Sequence, residues 1–70
     1  MKRYVKFDPS KGYPSGKDLF YECLRCGVAI PSRPTESIHC KCRNIMIDVE
    51  CGRLGIDDHS KARLFRTREP

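Results

Sequence analysis

A chain of 70 residues with 39% hydrophobic content and no tryptophan has room for one domain, 1–70, and only a small core. Cores of this size rarely supply more than ~3–5 kcal/mol, so a disulfide, a metal or a partner chain usually adds to them. Fourteen Lys and Arg against nine Asp and Glu give a formal charge of +5, spread along the chain with no dense basic run, and no apolar stretch is long enough to span a membrane.

In chain order, Tyr4 to Phe7 reads as a short first strand, ended by Asp8-Pro9. The glycines and proline of Gly12-Tyr13-Pro14-Ser15-Gly16 mark a loop. Gly12 to Lys17 superficially resembles a phosphate-binding loop. Its glycines are one residue too close, however, and Asp18 stands where Ser or Thr would bind magnesium, so a plain turn is expected. Leu19 to Cys23 is predicted as a strand and Val28 to Ile30 as its short return, with Pro31 to Ser37 a polar, proline-punctuated tip.

The clearest period follows. Ile45, Ile47, Val49 and Cys51 fall on one face, and Met46, Asp48 and Glu50 on the other, which is the alternation of a half-buried strand. Cys51 is accordingly expected to be a small buried hydrophobe. Leu54 and Ile56 continue one residue out of phase, so Gly52 is expected to hold a bulge or tight turn. Gly55 to Ser60 reads as a turn, and Lys61 to Arg66 as a last strand in preference to a short helix.

Four of the five cysteines form two pairs. Cys23 and Cys26 are separated by two residues and followed by Gly27, an arrangement in which the chain curls so that N–H groups point at the thiolates and Gly takes the left-handed conformation. Cys40 and Cys42 are one residue apart, and alternate residues of an extended segment point the same way, leaving Lys41 toward water. Arg43 stands where such a turn often has Gly, and Asn44 is expected to supply the positive φ. His39 is the rival ligand, expected instead to face solvent or to support the site from outside; His59 reads as a surface histidine. Met1 to Pro9 lacks the continuous apolar segment of a secretory signal, so the cysteines are expected in a reducing, cytoplasmic setting, where they favour metal over disulfides.

Over residues 19–51 the chain resembles a zinc ribbon: two cysteine pairs at the ends of antiparallel β-hairpins, gripping one structural zinc through Cys23, Cys26, Cys40 and Cys42. Residues 1–18 would add an N-terminal strand and loop, and 52–70 a C-terminal strand or short helix. Four thiolates and one divalent zinc would lower the formal charge from +5 to +3, which is only mildly basic. A closed four-thiolate shell also leaves zinc no position for catalytic water, and neither paired carboxylates in an apolar setting nor a Ser-His-Asp set is evident. No enzymatic activity and no small-molecule substrate are expected.

A looser resemblance lies in Phe20-Tyr21-Glu22-Cys23-Leu24-Arg25-Cys26-Gly27, then Ile30-Pro31-Ser32, then Cys42-Arg43-Asn44-Ile45-Met46-Ile47-Asp48. It is similar to small orphan bacterial proteins, some of which are immunity partners that block a cognate toxin. This implies a protein-binding module, with Arg33, Lys41, Arg43 and Arg53 as candidate contacts. The alternative is a nucleic-acid-binding zinc ribbon, in which Tyr4, Phe7, Tyr13 and Phe65 stack bases while nearby cations meet phosphate.

Overall fold

The computed structural model describes residues 2–67; Met1 and the 68–70 end of the predicted C-terminal segment lie outside the described residues. Among the described residues, seven strands form two antiparallel sheets. β1 (Lys2–Val5), β7 (Ala62–Thr67), β2 (Leu19–Cys23) and β3 (Ala29–Pro31) lie side by side in one, and β4 (Ile38–His39), β5 (Ile45–Asp48) and β6 (Arg53–Ile56) in the other. There is no α-helix among the described residues. Two short 3-10 turns, Pro9–Lys11 and His59–Lys61, share the pattern Asp-x-Ser: the carboxylates of Asp8 and Asp58 accept the N–H of Ser10 and Ser60, both at 3.0 Å. No described helix is long and apolar enough to cross a membrane.

Alternation builds both sheets. In β2, Leu19, Tyr21 and Cys23 point inward, and the register sets Tyr21 beside Leu64 of β7 and Ile30 of β3. In β5, Ile45 and Ile47 are buried opposite Ile56 and Leu54 of β6. One core joins the two inner faces, with Leu19, Tyr21, Cys23, Ile30 and Leu64 meeting Cys40, Ile45, Ile47 and Ile56. Phe7 and Tyr13 pack their rings against Tyr21, at 5.8 and 6.5 Å between centroids. The Tyr21 hydroxyl donates to the Pro14 carbonyl at 2.5 Å, and burial, reinforced by the neighbouring Tyr13, pushes its ionisation up to about 12.

The differences from expectation have local causes. β1 stops at Val5, and Phe7 leaves the strand to pack inside because Asp8 already caps the next turn. The return strand starts one residue later than Val28, and a short strand, β4, pairs its two residues with Ile47 and Met46. Ser32, in the expected exposed tip, is buried, with its hydroxyl accepting from the Gly16 N–H and donating to the Gly16 carbonyl.

The largest correction concerns Cys51. β5 ends at Asp48, whose carboxylate accepts the N–H groups of Glu50 and Cys51 at 3.1 and 3.3 Å and turns the chain. Gly52, at φ +62°, completes that turn. Val49 and Cys51 therefore leave the alternation, and Cys51 is exposed, not buried. The phase slip is a hairpin, after which Gly55 and Ile56 belong to β6 and not to a turn.

Candidate metal centre

The first cysteine pair closes the β2–β3 hairpin and the second closes β4–β5, so each sheet contributes one half of a site. The Sγ atoms of Cys23, Cys26, Cys40 and Cys42 all lie within 4.8 Å of one another, a group able to hold a metal ion. Cys42 Sγ is 3.4 Å from Cys23 Sγ and 3.7 Å from Cys40 Sγ. These separations exceed the ~2.05 Å of a disulfide bond, and all five cysteines are free.

Backbone amides surround the sulfurs. The turn at Cys23 closes through the Gly27 N–H to the Cys23 carbonyl at 2.9 Å, with Gly27 at φ +78°. The second turn closes through the Arg43 N–H to the Cys40 carbonyl at 3.0 Å, and Arg43, not Asn44, takes the left-handed conformation, at φ +65°. Arg43 therefore occupies the place that Gly27 has in the first pair. The N–H groups of Arg25 and Cys26 point to Cys23, those of Val28 and Cys42 to Cys26, and that of Asn44 to Cys42. The Ile45 N–H completes the set, 3.3 Å from Cys40 Sγ. Donors aimed at sulfur favour the thiolate, which is the metal-binding form.

The thiols do not ionise alike. Desolvation pushes Cys26 up, but the Val28 and Cys42 N–H groups and the thiols of Cys23 and Cys42 outweigh it and bring Cys26 down to about 6. Cys42 goes the other way, to about 11, because desolvation and its three thiol neighbours prevail over the Asn44 N–H. Like charges this close oppose one another. A full set of four thiolates calls for a cation in their midst.

The remaining predicted residues fall in different places. His39 is exposed on β4, its Nδ1 2.7 Å from the Cys40 carbonyl oxygen, and stands outside the sulfur cluster. His59 is also exposed, but its Nε2 is 2.8 Å from the Tyr13 hydroxyl. Arg43 and Arg53 line one shallow groove on the three-stranded sheet, together with the exposed Met46. Arg33 borders a second hollow, which also reaches Arg53, and Lys41 is exposed beside the second pair and lines neither.

Asn44 was expected only to supply a positive φ, and its part in the site escaped sequence reasoning. Asn44 is buried, and its side chain bonds to the turn that joins β6 to β7. The signal was a polar residue directly before the apolar alternation of β5, but its partners lie 14 and 17 residues further along the chain. Comparison with protein-family models, with curated proteins and with solved structures finds no match.

Proposed function

We propose that this chain is a non-enzymatic module of zinc-ribbon type, in which one structural zinc ties the two sheets and the folded surface binds another protein. The observation that carries the reading is the four-sulfur cluster with an amide donor aimed at each sulfur. A tetrahedron of ~2.3 Å zinc–sulfur bonds has edges of about 3.8 Å, close to the 3.4 and 3.7 Å between sulfurs here. With all four positions taken by thiolate, zinc offers no site for substrate or water, so its work is mechanical.

The surface then carries the function. Met46 is half-exposed at the centre of β5, with Arg43 and Arg53 lining the same groove and Asp48 paired across from Arg53. A flexible apolar side chain set among mixed charges suits a protein partner, since the apolar part gives contact and the charges give orientation. In its specific form the partner is a bacterial toxin held in a reducing cytoplasm, and the chain acts as its immunity protein by covering the active cleft.

A second reading, nucleic-acid binding, is favoured by Tyr4, which is 48% exposed and has the Arg63 guanidinium 4.9 Å from its ring centroid. The other aromatics support it less. Phe7 and Tyr13 pack against the core, and Phe65 is 3% exposed between Tyr4 and Phe20.

Native mass spectrometry of the untagged protein from its own cell extract tests both readings. We expect one zinc per chain and a co-purified protein at fixed stoichiometry that survives moderate salt. Charge reversal at both Arg43 and Arg53 should weaken that complex at least tenfold, because opposite charges become like charges at the contact. Retention of oligonucleotide, with affinity falling steeply as salt rises, would put the second reading first. A metal-free folded chain would remove the zinc reading.

A further inference from the structure

The turn between β6 and β7 touches both cysteine pairs. The Lys61 carbonyl accepts the N–H of Leu24, inside the first pair, at 2.7 Å, and Asn44 Nδ2, beside the second pair, at 3.3 Å. Asn44 Nδ2 also donates to the Asp58 carbonyl at 3.2 Å, and its Oδ1 accepts the Asp58 N–H at 2.7 Å. The Asn44 carbonyl accepts the Asp57 N–H at 2.8 Å, while its own N–H points to Cys42 Sγ. Arg25, between the first two cysteines, lies 3.9 Å from Asp57. Asn44 is 1% exposed, and no buried side-chain polar atom among the described residues lacks a partner.

A site whose halves belong to different sheets must bring those halves together, and any ordering left to the moment of binding weakens the ion's hold. In the folded chain a single carbonyl receives one donor from each half, so the 57–61 turn shares with the ion the work of holding the halves together. We propose that Asn44, acting through the 57–61 turn, is the positioning residue of the metal site: it holds the two cysteine pairs at the spacing of one ion and thereby sets the metal affinity. This rests on the reading of the four cysteines as a metal site. Asn44 touches no metal; it acts on Cys42 through its own backbone and on the first pair through Lys61.

The test uses the full chain and its Asn44→Ala and Asn44→Asp variants, with Zn(II) affinity measured against a chromophoric chelator. Asn44→Asp keeps an acceptor for the Asp58 N–H but sets a carboxylate against the carbonyls of Asp58 and Lys61. It carries the test if Asn44→Ala does not fold. A core variant, Ile30→Val, reports the effect of general destabilisation. We expect both Asn44 variants to bind Zn(II) ~10–100-fold more weakly, the range typical of lost outer hydrogen-bonding partners, and Ile30→Val to lose about 2–12-fold through destabilisation alone.

Two further readouts separate positioning from mere packing. With Co(II) as the probe, the thiolate charge-transfer and ligand-field bands should shift in the Asn44 variants and not in Ile30→Val. In the Zn(II)-loaded variants, amide exchange should quicken at Leu24, 20 residues from the substitution, as well as at Asp57 and Asp58, while Tyr21 and Leu64 stay protected. Wild-type affinity, an unchanged Co(II) spectrum and a protected Leu24 amide in the variants would overturn the proposal and leave the metal reading standing. A wild-type chain that binds neither ion would overturn both.

Discussion

At Gly27 and Arg43 one backbone conformation is held by two residues of different intrinsic cost. Both follow the second cysteine of a pair, and both sit in the left-handed region, at φ +78° and +65°. For a residue with a Cβ that region costs roughly 1–2 kcal/mol, whereas glycine enters it freely. Nothing lies within 4 Å of a Cβ built on Gly27, so Gly27→Ala tests backbone strain without a steric clash. It should destabilise the metal-loaded protein by about 1 kcal/mol, and Arg43→Gly should stabilise it by a similar amount. In thermal unfolding of a domain this size each change corresponds to ~4–8 °C, in opposite directions. If Arg43→Gly also weakens partner binding, the arginine's strain persists for contact and not for the fold. The same residue shows a limit of reading by type: Asn tolerates positive φ better than Arg, yet the strain falls on Arg43 because the buried Asn44 amide is engaged with Asp58 and Lys61.

Among the elements, the β5–β6 hairpin shows how one side chain redirects a strand. The residues from Ile45 to Cys51 alternate as a single strand would, but the Asp48 carboxylate gathers two N–H groups ahead of it and bends the chain. The Cys51 thiol and N–H in turn hold that carboxyl below the usual carboxylate range, and the same hydrogen bond, reinforced by the Asp48 charge, pushes the Cys51 thiol up. Cys51 is also exposed and stands outside the four-sulfur cluster, so it is placed to be neither a ligand nor, with its thiol raised, a ready nucleophile near neutral pH. Cys51→Ser keeps a donor for Asp48 and should leave one metal per chain and a melting temperature within ~2 °C of wild type; a lost metal equivalent would make Cys51 a ligand. β2 was legible, because the alternation of Leu19, Tyr21 and Cys23 is local, whereas Lys61 to Arg66 was too brief to separate a strand from a short helix and β7 is a strand through its pairing with β1 and β2. β4 was not legible, since its two residues are a strand only by pairing with β5.

At the scale of the whole molecule, one core and one sulfur cluster join two small sheets. A structural zinc contributes an apparent ~10–16 kcal/mol in small zinc peptides, well above the ~3–5 kcal/mol that a core of this size supplies. Removing the metal with a chelator should therefore collapse amide chemical-shift dispersion in both sheets in a single transition, and restoring one equivalent of Zn(II) should recover it. Two separate transitions, or a chain that keeps its dispersion after chelation, would mean that the core holds the sheets without the ion. Lowering the pH should act like the chelator, because protons compete with the metal for thiolate.

By itself the sequence determined the two cysteine pairs, the left-handed glycine of the first, and the β character of the segments that carry them. These are local properties of spacing, side-chain type and alternation within a few residues. Only the tertiary structure decided that the pairs belong to different sheets, that β7 runs between β1 and β2, and that Asn44 and Lys61 join the halves of the site. Those facts depend on pairings between residues far apart in the chain. Many such pairings satisfy the same alternation, and the one adopted is the one that buries both inner faces together and leaves no enclosed side-chain polar atom among the described residues unpaired.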